Sequence, residues 1–374
     1  MKKKILIVFL ALFALYILWL SIGLLSFKTY KNAEHKEYPL EIEGVYHIHT
    51  IFSDGKKGID EVEKIASQAP LDFIILTDHG RPNYESYACQ GWREDLLVLA
   101  GSELSSSRGH LVALGFNLPS QSFSQNAEDS VYEIQGKGGF SIIAHPYSKT
   151  KWSWGEFVGY SGIEIMNADT MLRTNILSSL FYLPAILLNP KYFLLKILDN
   201  PRRNLRKWEE LNTDHTVYGY FSTDAHFFYS TLFDLFHLHI LISSPLSKDF
   251  DKAKNQVYDA LKKGRFYNSV HTAAQASGFR FWGEQGAEKI PMGGKASPDS
   301  PVNLNIQAPF SFDKEIHLIH DGKVIYRSTE ESASYLTSEP GTYRVEVYLK
   351  ERSPLRKNIP WILSNPIFLR EDKK

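Results

Sequence analysis

The chain has 374 residues, 42 Lys and Arg against 42 Asp and Glu, and a single cysteine, Cys89. That length allows about two domains with real cores. The balanced charge excludes a basic nucleic-acid stripe or an acidic solvating tail, and one thiol excludes an internal disulfide and a Cys-rich zinc site.

The first predicted element follows "MKKK": 23 uncharged, mostly apolar residues, 5–27. This is enough to cross a hydrocarbon core of ~30 Å. The run is longer than a signal peptide's apolar region and ends without Ala-x-Ala, so residues 1–27 are expected to be an uncleaved anchor. Lys2, Lys3 and Lys4 place the body of a single-pass protein outside the cytoplasm, against a weaker opposing bias from Lys28, Lys31 and Lys36. A polar linker is expected over 28–43.

From Gly44 strands and helices alternate. "GVYHIHT" reads as a strand, and "GIDEVEKIASQA" as a helix with Ile59, Val62, Ile65 and Ala66 on one face. "DFIILTDHG", "DLLVLAGSEL", "FSIIAHPYS", "GIEIMNAD" and "YGYFSTDAHF" repeat one design, an apolar run ending abruptly in His, Asp, Glu or Asn. Such runs suit strands buried on both faces. In barrels of parallel strands the chemistry collects at the carboxyl ends. The expectation is an α/β barrel with one mouth lined by metal-type ligands.

Residues 171–200 interrupt this pattern. They are apolar but cut by Pro184, Pro190, Lys191 and Lys196, and the stretch Ile176 to Leu188 is too short to span a bilayer. The segment either packs as core helices or forms a flap that lies on the membrane or lids the site. After about residue 272, polar and apolar residues alternate. Asp321-Gly322 between two such runs signals a hairpin, and a small β-sandwich is expected over 273–374.

The strand ends supply His47 and His49, with Asp54 on the next loop, then Asp78 and His79, Glu103, His145, and Asp224 and His226; His110 precedes the strand "GHLVALGF". Residues i and i+2 of a strand share a side, so His47 with His49, and Asp224 with His226, are placed to grip one ion each. Singly, each has an ordinary reading as a cap or turn residue. A second His-x-His, His237 and His239 in "FHLHIL", shows that the spacing alone decides nothing. Imidazoles and carboxylates without thiolate suit Zn, Mn or Fe. Candidates in this number exceed one tetrahedral site, so two or three divalent ions are expected. Sites of this kind activate a bound water and neutralise phosphoryl oxyanions.

The ordered motifs "HIHTIFSDG", "DFIILTDHG", "GSELSSSRGH", "IIAHPY" and "STDAH" resemble the PHP (polymerase and histidinol phosphatase) family over about residues 44 to 270. The resemblance implies a distorted (β/α)7 barrel with a trinuclear site. That domain is placed at 44–272, preceded by the transmembrane helix and followed by the sandwich. An apolar helical insertion at about 171–207 is longer than the family's usual connection. Carried over by motif, His47 and His49 resemble the first ligand pair, and Asp54 and His79 ligands of a separate ion. Glu103 resembles the bridging carboxylate, His110 and His145 ligands of a further ion, and Asp224 and His226 the closing pair. His79, Glu103 and Asp224 would flank the metal-bound water that acts as nucleophile. Arg81 and Arg108, beside candidate ligands, are expected to hold substrate phosphate. His215, His237, His239, His271, His317 and His320 fall outside the motifs or at the domain edge.

The function expected from this resemblance is a membrane-anchored phosphoesterase (EC 3.1) acting on a small-molecule phosphomonoester or phosphodiester. Membrane contact is expected through residues 5–27, with 171–198 as a second candidate. The alternatives are a metal-dependent hydrolase of carbamate, amide or carboxyl esters, and a non-catalytic binding protein at the membrane surface. No nucleotide fingerprint or basic groove points to nucleic acid.

Overall fold

The computed structural model describes residues 2–27, 29, 38, 40–309, 313–350 and 354–371. Most of the linker expected at 28–43 lies outside them. The architecture is mixed α/β. The first helix, Lys2–Ser26, carries no charge beyond Lys4, and of its residues only Leu20 is buried. It is long and apolar enough to cross a membrane.

The strands Glu41–Ile48, Phe73–Leu76 and Leu96–Ala100 pair in parallel. So do Phe140–Ile143, Gly162–Asn167 and Tyr218–Ser222. Their apolar runs follow from burial on both faces. Ile74, Leu76 and Val98 enter one core cluster, and Phe73, Ile75, Leu97 and Leu99 enter another. The helix Ile59–Ala66 buries Val62 and Ala66, with Ile59 and Ile65 packed on the same core.

The ladders do not close into a (β/α)7 barrel. Ser102–Ser106 and Gly109–Leu114 form an antiparallel hairpin, and Gly109–Leu114 is also antiparallel to Phe140–Ile143. The two residues between the hairpin strands leave no room for the helix a parallel crossover requires. Both edges of the five-stranded sheet meet the carboxyl ends of two inner strands of the larger sheet at isolated bridges, Ile48 with Ala225 and His79 with Glu103. The strand ends of both sheets therefore converge on one seam.

The apolar insertion divides its roles. The helix Pro190–Ile197 buries Tyr192, Phe193, Leu194, Leu195 and Ile197. The helix Ile176–Leu188 buries only Ala185 and exposes Leu177, Leu180, Leu187 and Leu188. It lies against the first helix, where Phe181 meets the rings of Tyr16 and Trp19. The preceding helix, Ala168–Thr174, meets it at a bend of 106°.

In the C-terminal region, Asp321 and Gly322 join Lys314–His320 to Lys323–Ser328 as a two-residue turn, both with positive φ (44° and 77°). A four-stranded antiparallel sheet is built from Arg280–Gln285, Glu288–Pro291, Val302–Gln307 and Ser332–Thr337. Its Leu304 and Ile306 share a core with Ile316, Leu318, Val345 and Val347. The strands on the other side of that core do not stand apart. Ile362–Ser364 pairs with both Gly341–Leu349 and Phe266–Val270, so one ladder runs across the boundary drawn at residue 272.

Candidate metal centre

Glu103 sits at the seam, buried, with five imidazoles around its carboxylate. Its Oε2 lies 3.3 Å from His47 Nε2, 3.2 Å from His49 Nε2 and 3.4 Å from His79 Nδ1. Its Oε1 lies 2.9 Å from His110 Nδ1 and 2.8 Å from His145 Nε2. Asp224 Oδ1 closes the first set at 3.4 Å from His47 Nε2 and 3.3 Å from His49 Nε2. Asp54 gathers another, 3.2 Å from His226 Nε2, 3.4 Å from His49 Nδ1 and 3.8 Å from His79 Nε2. All nine sequence-derived ligands are thus brought together. Eight of them fall into overlapping groups spaced for metal binding: His47, His49, Glu103 and Asp224; His49, Asp54, His79 and His226; and His79, Glu103 and His110; His145 joins through its contact with Glu103.

One pairing differs from expectation. Asp224 Oδ1 and His226 Nδ1 are 3.6 Å apart, yet Asp224 groups with His47 and His226 with Asp54. The strand ends at Ser222, and Asp224 has φ 47°, which breaks the two-residue alternation. His47 (φ 66°) and His145 (φ 26°) are also left-handed non-glycine residues. Each such residue costs on the order of 1–3 kcal/mol, and such strain clusters at functional sites.

The outer nitrogens are held. His47 Nδ1 faces Glu164 Oε1 at 2.6 Å. Glu164 also accepts from the Tyr46 hydroxyl, the His145 backbone N–H and Asn167 Nδ2. His145 Nδ1 meets Ser148 Oγ at 3.0 Å, and His226 Nδ1 donates to the Asp224 carbonyl at 3.0 Å. Partners of this kind fix ring orientation in metal-binding histidines. The inner atoms tell the opposite story: His47 Nε2, His49 Nε2, His79 Nδ1 and Asp224 Oδ1 are buried without a hydrogen-bond partner. Buried polar atoms are rarely left so. The donor set of imidazoles and carboxylates fits divalent ions of the Zn, Mn or Fe type.

Burial and the clustered carboxylates set the electrostatics of the site. Burial disfavours charge on His47, but Asp224, Glu164 and Glu103 outweigh it and hold the ring well above the ordinary imidazole range. Burial likewise opposes charge on His49 and His145. The neighbouring carboxylates of Asp224 and Glu103 hold His49 up to about 9, and Glu103 does the same for His145. Burial would raise Glu103, yet His47 and the hydrogen-bonded His110 and His145 pull it well below the usual carboxylate range. Burial dominates at His79 and pushes it down.

A cavity of about 240 Å³ opens over the cluster, floored by His79, Glu103, His110, His145, Asp224 and His226. Lys149, Thr150, Asp169, Thr170 and Arg173 line its sides. Arg81 and Arg108 do not. Arg81 is spent on the carbonyls of Phe123 and Ser105. Arg108 is spent on Glu128 and the Ser153 carbonyl. Adjacency in sequence to a ligand did not bring either arginine to the cavity. Asp78 also turns from the cluster, accepting from Thr50, Ser53 and Ser86 to brace the loops. The sequence reading missed Glu164, Lys149 and Arg173. Glu164 did leave a signal, as the one charge inside an otherwise apolar strand.

No family model matches the chain. An uncharacterized protein of Methanocaldococcus jannaschii is 29% identical over 140 residues, which is 33% of this chain and 80% of that protein. A two-domain protein of Bacteroides vulgatus containing a predicted PHP-like metal-dependent phosphoesterase aligns over 91% of this chain and 99% of its own, at 15% identity and TM-score 0.40. An amidohydrolase of Chromobacterium violaceum aligns over 49% of this chain and 87% of its own, at 17% identity and TM-score 0.33. Likenesses this weak decide neither fold nor activity, and the functional assignment rests on the residues gathered around Glu103.

Proposed function

We propose that the chain is a membrane-anchored, metal-dependent phosphoesterase of the PHP type. Its catalytic body would lie at 44–272, outside the cytoplasm, and carry the strands of 273–374 as an appended β-module. The observation that carries this reading is the convergence of orphaned ligand atoms on Glu103 beneath an open cavity. His47, His49, Glu103 and Asp224 would hold one ion, Asp54, His79 and His226 a second, and His110 and His145 with Glu103 a third. Divalent ions bound there supply Lewis acidity and an activated water. The chain's own groups do the rest. Glu164 fixes the His47 ring, and Ser148 fixes His145. Lys149 and Arg173 give the cavity wall positive charge suited to phosphate oxygens. Asp169, on the same wall, has its carboxyl pushed up by burial against the pull of Arg173, and is placed to hold a proton near a leaving oxygen.

Two apolar surfaces support work at a membrane. The helix Ala168–Thr174 lines the cavity and runs directly into Ile176–Leu188, whose exposed leucines extend the apolar face of the first helix. The alternative, hydrolysis of amide or carbamate bonds, would suit a neutral wall. Arg81 and Arg108 do face away, but Lys149 and Arg173 keep the wall charged.

The test is a substrate panel with full-length protein, stripped of metal and then reloaded with Mn or Zn. A chromogenic phosphomonoester, a phosphodiester, a carboxyl ester and a carbamate would be compared. Metal-restored cleavage of a phosphate ester supports the proposal. Cleavage of the carboxyl ester or carbamate alone would transfer the assignment to the alternative.

A further inference from the structure

The second His-x-His pair lies on the strand Phe236–Leu241. Its antiparallel ladder with Glu41–Ile48 sets His239 opposite Glu43, and its ladder with Phe266–Val270 sets His237 opposite Ser269. The two-residue period puts Glu41, Glu43, His237 and His239 on one face. His271 comes from the turn that follows Val270. All three histidines are buried, and Glu43 is mostly so.

Three ring nitrogens of the same kind surround one carboxylate. His237 Nδ1 is 2.9 Å from Glu43 Oε2, His271 Nδ1 is 3.6 Å from the same oxygen, and His239 Nδ1 is 3.5 Å from Glu43 Oε1. The four residues offer ligand atoms within 4.8 Å of one another. A tetrahedral ion with bonds of about 2.0–2.1 Å needs ligand atoms about 3.3 Å apart. The spacing here brackets that value, as do the 3.2 to 3.4 Å separations of Oε2 from His47, His49 and His79 around Glu103.

The outer nitrogens again have partners. His237 Nε2 donates to the Phe233 carbonyl at 2.8 Å, so in the neutral ring Nδ1 presents a lone pair to the centre. His239 Nε2 meets Ser269 Oγ at 3.0 Å, and its Nδ1 lies nearer to Glu41 Oε1, at 3.0 Å, than to Glu43, so an ion here would take the place of that Glu41 contact. An ion-pair network without metal leaves a residue unexplained. His271 Nδ1 is buried with no hydrogen bond, and its 3.6 Å to Glu43 is too long for one.

We propose that Glu43, His237, His239 and His271 form a second metal site, a structural one for a divalent ion of the zinc class, separate from the cluster around Glu103. Three imidazoles and a carboxylate complete a closed four-ligand set, the mark of a structural rather than a catalytic site. The ion would clamp three segments. One is the start of Glu41–Ile48, whose far end presents His47 to the catalytic cluster. The second is Phe236–Leu241. The third is the turn leading into the C-terminal strands, which also reaches back through Ser277 and Gly278 to Glu43 and Glu41.

Two measurements test this on the full chain in detergent. Elemental analysis compares the wild type with His271→Ala and with Glu103→Gln. His271→Ala should lose one zinc equivalent and keep the others. Glu103→Gln should lose ions yet keep one tightly held equivalent that the double variant lacks. A folded His271→Ala chain with wild-type metal content overturns the proposal. Because a variant can fail to fold, zinc-edge anomalous diffraction from wild-type crystals stands beside it. A peak among the four residues supports the site. Peaks around Glu103 with none here leave only a hydrogen-bonded network and overturn it.

Discussion

Two His-x-His pairs face different surroundings at opposite ends of one strand. His47 and His49 close the strand Glu41–Ile48 where the regular ladder breaks, at a bulge and a left-handed residue. His239 pairs opposite Glu43 near the other end, within an unbroken antiparallel ladder. The first pair shares Glu103 with three more imidazoles under a cavity; the second shares Glu43 with His271 and is closed over by Ser269, Tyr267 and Ser277. Around Glu103 Oε2 the nitrogens stand 3.2 to 3.4 Å off, and around Glu43 2.9 to 3.6 Å. The difference lies in access and strain. A closed, relaxed set suits structure, and an open, strained one suits chemistry.

The comparison breaks most visibly at Glu103. Glu103→Gln should lower phosphate-ester hydrolysis by on the order of 10³-fold or more, the scale of losing a preorganised electrostatic group at the reacting centre. His271→Ala, at the other end, should leave the metal-reloaded rate far closer to wild type; steady-state assays of the two variants side by side decide this. A smaller effect is expected one step out. Glu164→Gln removes the partner of His47 Nδ1 and should cost about 10- to 100-fold in metal affinity or rate. A metal titration would show whether that loss is in binding. On the cavity wall, Arg173→Ala should raise KM by roughly tenfold with a smaller change in kcat, the worth of one charge-assisted hydrogen bond at a partly exposed site.

The gentlest test is pH. In the metal-free chain His49 and His145 are held up to about 9, against an ordinary value of 6.5. A raised pKa means the folded state binds its protons more tightly, so this stability is fully present below 6.5 and is lost as pH rises through about 9. Thermal unfolding in chelator should therefore show Tm falling between those limits. With Mn or Zn present the trend should oppose this, because bound ions must displace the same protons and hold better as pH rises.

Much of the candidate cluster was legible because most of its residues end an apolar run, and a polar residue in that position needs a reason. The same logic overlooked Glu164, which sits inside its run, and the second cluster, whose members come from two strands and a turn with no shared motif. Glu43 preceded the first motif and looked like linker. Arg81 and Arg108 lie off the cavity lining because chain adjacency says nothing of side-chain direction; Lys149 and Arg173 reach the cavity from the loop after His145 and from the helix after Asn167. The parallel strands were readable from their composition. The antiparallel hairpin at Ser102–Ser106 and the ladder joining Ile362–Ser364 to Phe266–Val270 depend on pairing across long separations, which periodicity does not carry.

The most direct test of the central claim is phosphodiester hydrolysis by the full-length chain, stripped of metal and titrated with Mn or Zn beside Glu103→Gln. The expected result is activity that rises with ions bound in the wild type and stays near background in the variant. A wild-type chain that takes up its ions at Glu103 yet cleaves no phosphate ester would contradict the account.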